Sequence, residues 1–378
     1  MTERMTDTRT WSIEVLSPLH IGSGDLMSPL DYAVMTGDSV RTVVVYDFAS
    51  LGVTDAAGVE QLLRYVKPGT EWSALVQRAK ELGAPNPHSA VRYIIPMLTQ
   101  GAPEDILPFV RNCDDQAYVP GSSLKGAIRT ALLYYWAQKN QQTFWQIVVD
   151  AVNEPWKPDR KEVARGLERR AFGKDPNHDV MRALRVGDSD PVPVKRLLRG
   201  REAVVRSTRV GSSGEEALRQ WLEVVMPKAS VRVRISLDRH LFGSQCERQL
   251  NFGTWREALE DWPAQCRHFS SVLLERQALM LERLGEKGAE WCRTLKGEIE
   301  HDRDGCVIPL GWGVGWESKT VGMLMDDDAF ADLKAAYVLG KGKDDPQDYI
   351  QGVFPATRWG ILMQDGWRPL GWIRLKPA

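Results

Sequence analysis

The segment Val119-Pro-Gly-Ser-Ser-Leu-Lys-Gly-Ala-Ile-Arg-Thr-Ala-Leu-Leu133 gathers residues suited to holding an anion. A short extended run meets a Pro-Gly-Ser-Ser turn and then enters an amphipathic helix. The N–H groups from Gly121 to Ser123 therefore sit at a helix start, beside the hydroxyls of Ser122 and Ser123. Lys125 and Arg129 fall four apart and share one face of the first turns. Such a set suits a phosphate or a phosphodiester backbone. Nothing in the segment is an evident nucleophile or metal ligand, so it reads as a place that holds nucleic acid rather than cuts it.

Two further loops carry glycines. In Gly311-Trp-Gly-Val-Gly-Trp-Glu-Ser-Lys-Thr320 the spacing of Gly311, Gly313 and Gly315 fits neither nucleotide fingerprint. A P-loop closes on Gly-Lys-Ser/Thr, whereas Lys319 follows Ser318, and a dinucleotide loop would place its third glycine at Glu317. Two readings stay open: a structural turn, or a loop whose backbone comes close to a polyanion with Lys319 beside it. In Pro18-Leu-His-Ile-Gly-Ser-Gly24, His20 stands next to Gly22 and Gly24. It is a candidate acid–base residue, a base-stacking residue or a turn stabiliser. His178 with Asp175 and Asp179 reads as solvated loop charge rather than a metal site. Asp188 and Asp190 are the first carboxylates to alter if the chain is catalytic, although turn formation explains them as well. There is no HExxH, serine elbow, cysteine–histidine or paired-metal pattern, so no catalytic residue, metal or cofactor is expected.

The formal net charge of −1 over 378 residues conceals an uneven distribution. Lys195, Arg196, Arg199, Arg201, Arg206 and Arg209 cluster with a single acid, Glu202, while Asp326, Asp327, Asp328, Asp332, Asp344, Asp345 and Asp348 make the late region acidic. Nucleic-acid binding depends on the local field, so one basic face with neutral or acidic surfaces left for protein neighbours fits this pattern. Arg182, Arg185, Lys195, Arg196, Arg199 and Arg201 form a phosphate track if their faces converge. Five dispersed cysteines suggest neither a disulfide framework nor a zinc knuckle. The polar N-terminus and the lack of a long apolar run predict a cytoplasmic protein with no membrane partner.

These groups need elements to position them. Trp11 to Leu16 and Arg41 to Phe48 read as strands, and Val59 to Tyr65 and Trp72 to Leu82 as short helices. Leu124 to Val152 is the strongest helical pattern, with a break near Asn140, and Phe269 to Leu284 is a second long helix. Val231-Arg-Val-Arg-Ile-Ser-Leu237 alternates cleanly, placing Arg232 and Arg234 opposite an apolar face. Val307 to Leu310, Arg358 to Leu362 and Leu370 to Leu375 read as late strands. Strands and helices mix without a βαβ period, which argues for the α+β class.

Taken together, Leu16-Ser-Pro-Leu-His-Ile-Gly-Ser-Gly24, Tyr118-Val-Pro-Gly-Ser-Ser-Leu-Lys-Gly-Ala-Ile-Arg-Thr130 and Gly311 to Thr320 resemble the RAMP proteins of type III CRISPR effectors. Their order, the Arg182-Ala-Leu-Arg-Val-Gly-Asp-Ser-Asp190 block and the chain length are most similar to the Csm5 family of type III-A complexes. The resemblance implies tandem ferredoxin-like (RRM-like) domains, at 1–190 with an insertion near 41–119 and at 191–378 with a β-hairpin thumb near 204–237. It implies a non-catalytic subunit that caps the backbone filament and grips the 3′ part of the crRNA. His20, Ser122, Ser123, Lys125, Arg129 and Lys319 would face RNA or support the face that does. The implied partners are crRNA and target RNA, a Csm3-like backbone subunit and a Csm2-like small subunit, with Cas10 and Csm4-like subunits in the same complex. Other type III backbone subunits share these motifs, and a metal-dependent RAMP endoribonuclease is the alternative from a different class.

Overall fold

The computed structural model describes residues 6–37, 41–98, 103–154, 164–193, 198–207, 219–283, 285–286, 288–337 and 357–378. Five strands, β1 (Thr6–Val15), β6 (Leu184–Val186), β9 (Ser230–Asp238), β10 (Cys306–Pro309) and β13 (Trp372–Pro377), form one antiparallel sheet. Their order is β10-β13-β1-β9-β6. Register places Ile13 beside Val231 on one side and Leu375 on the other, so the apolar alternation of three strands falls on a single face. Trp11, Ile13, Val15, Val231, Val233, Ile235, Leu237, Ile373 and Leu375 are all buried there. Arg232 and Arg234 stand exposed on the opposite face, among hydroxyl pairs such as Ser12–Ser230 at 2.8 Å.

Two long helices cover the apolar face. Gly121–Lys139 buries Leu124, Ile128, Ala131 and Leu132, and Trp262–Arg283 buries Phe269, Leu273, Leu274 and Leu281. Each fully buried Leu, Ile or Phe contributes roughly 1.5–3 kcal/mol. The helix break expected near Asn140 occurs there: Asn140 has φ −119° and ψ 45°, and a new helix, Gln141–Asn153, starts beyond it. Its side-chain amide donates to the Trp136 carbonyl at 2.9 Å, a local bond that competes with helix continuation.

The second sheet is built from β2 (Tyr32–Thr36), β3 (Arg41–Tyr46), β4 (Val91–Met97), β7 (Leu198–Ser207), β11 (Thr357–Met363) and β12 (Gly366–Pro369). The order is β12-β11-β7-β4-β3-β2, and β8 (Arg219–Val225) joins β7 and the two-residue β5 (Ile106–Leu107). Helices Ala56–Tyr65 and Trp72–Glu81 lie against it, packing Leu62, Trp72, Leu75 and Val76 on Ala33, Val44 and Tyr46. The 41–119 segment is therefore woven into this sheet through β3, β4 and β5.

The class is α+β, as the mixed pattern implied. Two helix-backed sheets are present, and each takes strands from both sides of residue 190. The expected 204–237 excursion divides between them. β7 and β8 pair antiparallel as a hairpin, whereas β9 crosses to the other sheet beside β1. Residues 208–218 between β7 and β8, with Arg209, lie outside the described residues, as do Lys195, Arg196, Asp344, Asp345 and Asp348. Among the described residues no helix is long and apolar enough to cross a membrane, and no cluster of His, Cys, Asp and Glu assembles as a metal site.

Candidate nucleic-acid interface

Three segments far apart in the chain meet at one end of the five-stranded sheet. Residues 16–24 leave β1 and are clamped from several sides. Leu19 exchanges two backbone bonds with Val225, at 2.9 and 2.8 Å, and the Ile21 carbonyl accepts from Val110 N–H at 2.8 Å. The His20 carbonyl accepts from Trp312 N–H at 2.8 Å, which seats the 311–320 loop on the first motif. Between that loop and the start of the Gly121–Lys139 helix opens a cleft of about 360 Å³, lined in part by Gly22, Ser123, Gly126, Thr130, Gly311 and Lys319.

The glycines of the late loop have structural reasons. Gly311, Gly313 and Gly315 all adopt left-handed φ, at 92°, 77° and 87°. A Cβ on Gly311 would collide with the His20 carbonyl, and one on Gly315 would occupy the place of the Arg358 guanidinium. Arg358 is buried, donating to the Val314 carbonyl at 3.0 Å and to Glu317 at 3.2 Å. Glu317, also buried, accepts from Arg276 at 2.6 Å. The loop is thus wrapped around a buried ion pair, and it still lines the cleft with Gly311 and Lys319. The structural-turn reading of the three glycines is met by these contacts.

His20 does not face solvent; it is 1% exposed. Its Nδ1 lies 2.7 Å from the Glu223 carbonyl, which accepts the Nδ1 proton, and its ring stands edge-on to Phe109 and Trp312. Burial lowers its pKa from 6.5 to about 4, against the smaller upward pull of the Glu223 carbonyl. The imidazole is neutral near pH 7 and braces the loop. Behind it, the buried Glu223 carboxylate accepts from Phe109 N–H at 2.8 Å, Tyr93 Oη at 2.9 Å and Arg111 at 3.0 Å. Burial pushes that carboxyl upward, while Arg111 and the N–H and O–H donors pull it down. Arg111 lies over the Tyr93 ring, 3.6 Å from its centroid. Sequence reasoning passed over Glu223, Arg111 and Arg358. A signal for Glu223 existed: a lone charge inside the apolar run Trp221-Leu-Glu-Val-Val225.

The helix start differs from expectation. Gly121 N–H is not available to an anion, because it donates to the Asp188 carboxylate at 2.8 Å. Ser123 N–H turns back to the Pro120 carbonyl at 3.1 Å. Gly121 is required by close packing, since a Cβ would collide with the Val186 and Gly187 carbonyls. What remains open is the outer surface: Ser122 and Gly126 are exposed, and a Cβ at Gly126 would have no neighbour within 4 Å. The carboxylates singled out as catalytic candidates have other employment, with Asp188 on the helix start and Asp190 paired to Arg232 at 3.1 Å.

The cations divide. Arg129 is held by Asp179 at 2.7 Å and Glu168 at 3.3 Å, and lies 3.9 Å from the centroid of the Phe172 ring, so it is a structural clamp. Arg185 pairs with Asp238 at 2.6 Å, Arg182 donates to the Asn177 carbonyl and Arg201 to the Leu362 carbonyl. Arg199 lies in β7 beside Gly200, in the other sheet. Of the track expected from Arg182 to Arg201, Lys195 and Arg196 lie outside the described residues; Arg185 stands in β6 and Arg199 and Arg201 in β7, strands of different sheets. Lys125, Lys319 and Arg234 make no side-chain hydrogen bond or ion pair to a described residue. Burial lowers the pKa of Lys125, with Asp179 pulling it back up, and burial lowers that of Lys319. Neither ammonium has a hydrogen-bonded or ion-paired partner among the described residues and each is partly desolvated, a state that an incoming anion relieves. Lys319 and Ser123 face the cleft, while Lys125 sits on the adjoining helix face with Arg129. Gly24 lies at the open edge of the first loop, with φ 97°.

Comparison with known proteins bears on the family and the fold. The chain is 23% identical over 386 residues to the CRISPR system Cms protein Csm5 of Methanocaldococcus jannaschii, covering 96% of this chain and 87% of that protein. A chain of the cryo-EM structure of a type III-A Csm–crRNA–target RNA ternary complex superposes with a TM-score of 0.64 at 24% identity, covering 98% of this chain and all of that one. The crystal structure of T. onnurineus Csm5 gives 0.62 at 22% identity, covering 96% and 99%. The RAMP superfamily model matches residues 12–283, which span the first two motifs and the helices that carry them, and the chain belongs to the RAMP superfamily.

Proposed function

We propose that this chain is a non-catalytic subunit of a type III-A CRISPR effector that caps the backbone filament and holds the 3′ part of the crRNA by its sugar–phosphate chain. The observation that carries this reading is the meeting of residues 16–24, 121–130 and 311–320 in one open cleft lined by Lys319, with Lys125 on the adjoining helix face, neither lysine being ion-paired to a described residue. Among the described residues that line the cleft there is no Asn, Gln, Asp, Glu or Arg to read a base edge, which suits a guide whose sequence changes from one crRNA to the next. Ser122, Ser123 and Thr130 supply hydroxyls, and Lys125 and Lys319 supply charge. The exposed strand face bearing Arg232 and Arg234 leaves room for further backbone contacts. A Csm3-like neighbour, a Csm2-like small subunit, and Cas10 and Csm4-like subunits are the assembly partners this reading requires.

The test is loading of crRNA and of scrambled RNAs of equal length onto wild-type and Lys125→Ala/Lys319→Ala chains over a salt series. Loss of two phosphate contacts lowers the slope of log K against log salt by about 1.4. The reading requires equal affinity for the scrambled sequences, and an unchanged slope in the double variant refutes it. RNA cleavage by the purified chain that disappears in His20→Asn or Asp188→Asn would establish the ribonuclease class instead.

A further inference from the structure

A second cavity, of about 480 Å³, opens next to the helix start, bordered by Arg129, Glu168, Arg169, Gly173, Lys174 and Asp179. Its carboxylates are already committed. Glu168 and Asp179 both accept from Arg129. Asp175, also on its wall, accepts from His178 Nδ1 at 2.8 Å and from the N–H groups of Asn177 and His178 at 2.9 and 3.1 Å. Arg169 and Lys174 are exposed, and neither side chain makes a hydrogen bond or ion pair to a described residue. The pocket therefore presents cations whose neighbouring acids are spent elsewhere.

The walls are set in advance. Gly173 has φ 134°, where any side chain would collide with the His178 carbonyl, so the turn carrying Lys174 closes tightly on itself. The helix Arg165–Phe172 is pinned at its end by Trp255, which stacks on Phe172 at 5.2 Å and donates its indole N–H to the Ala171 carbonyl at 3.0 Å. One helix carries walls of both cavities: Ser123, Gly126 and Thr130 line the cleft and Arg129 lines the pocket, with Lys125 one turn before Arg129 and Ser122 and Gly126 exposed. From Ser122 to Arg129 the helix advances about 10 Å at 1.5 Å per residue, a span that a few nucleotides bridge.

From this we infer that the pocket is a second seat for the same polyanion: an RNA backbone held in the glycine cleft continues over the bare Ser122–Gly126 ridge, and Arg169 and Lys174 take its next phosphates. The inference rests on the cleft reading above and extends it by about two phosphate contacts, so the two are tested with separate variants. Full-length chain carrying Arg169→Ala/Lys174→Ala is compared with Lys125→Ala/Lys319→Ala for binding single-stranded RNAs of about 4 and about 16 nucleotides. The pocket variant should bind the short RNA like wild type. On the long RNA it should bind several-fold more weakly, with a salt slope lower by about 1.4. Unchanged affinity and slope on the long RNA overturn the second seat while leaving the cleft reading intact. Unchanged binding in the cleft variant, with loss in the pocket variant, overturns the cleft reading. Loss of binding to polyglutamate but not to RNA would assign the pocket to an acidic protein segment and also overturn the proposal.

Discussion

Acidification tests the role of His20. The unfolded imidazole titrates near 6.5 and the folded one at about 4, because burial strips the water that would solvate an imidazolium. Above pH 6.5 neither state binds the proton, and the contribution of the neutral ring is fully present. As the pH falls from 6.5 through 4, the unfolded chain takes up a proton that the folded chain refuses, so stability is lost across that window and the loss levels off below it. At about 1.4 kcal/mol per pH unit, the interval from 6.5 to about 4 is worth about 3 kcal/mol. The control is His20→Asn, whose side-chain N–H can still donate to the Glu223 carbonyl but which does not titrate. It forfeits ring contacts with Phe109 and Trp312, which should cost about 1–3 kcal/mol near pH 7. Urea unfolding followed by tryptophan fluorescence should then show the gap between wild type and variant narrowing by about 3 kcal/mol between pH 7 and pH 4. Parallel loss of stability in the two proteins would refute the burial argument, and with it the claim that a neutral His20 braces the 311–320 loop.

Five further substitutions probe the neighbourhood. Gly126→Ala should stabilise the fold by roughly 0.5–1 kcal/mol, since its Cβ meets nothing, yet weaken RNA binding; paired denaturation and binding curves separate the two effects. Glu317→Gln leaves the Arg358 guanidinium buried without its counter-charge and should cost about 3–5 kcal/mol in chemical denaturation, whereas Arg276→Met, which removes the more exposed partner, should cost far less. Arg129→Met should destabilise by about 1–3 kcal/mol through loss of Asp179, Glu168 and the Phe172 ring. Lys125→Met, by contrast, should leave the denaturation midpoint unchanged or raised, since Lys125 pays for burial with a lowered pKa and has no partner to lose.

Much of the local structure was legible in the residues alone. The alternation of Val231, Val233, Ile235 and Leu237 specifies a strand with one buried face, because side chains on a pleated strand point to opposite sides in turn. Helical periodicity located Gly121–Lys139, and the capacity of Asn140 to bond its own helix located the break. The three glycine-bearing motifs marked the ingredients of the site. The 204–237 excursion contains a hairpin, β7 with β8, but its last strand, β9, pairs with β1 in the other sheet, because periodicity describes a strand and says nothing of which strand it will pair with.

What only the tertiary structure decided is which groups each side chain meets. In sequence Lys125 and Arg129 look equivalent, four apart on one helix. In the fold Asp179 and Glu168 ion-pair with Arg129, while Lys125 makes no ion pair or side-chain hydrogen bond to a described residue. In sequence His20 reads as an acid–base residue, a base-stacking residue or a turn stabiliser; in the fold β8 and the 311–320 loop enclose it. Gly121 reads as an anion-binding N–H, yet Asp188 reaches it from 67 residues away. The physical reason is the same in each case. Charge and hydrogen-bonding capacity belong to the residue and are visible in its type, whereas whether that capacity is spent or left for a ligand depends on neighbours that only sheet order and helix packing bring within about 3 Å.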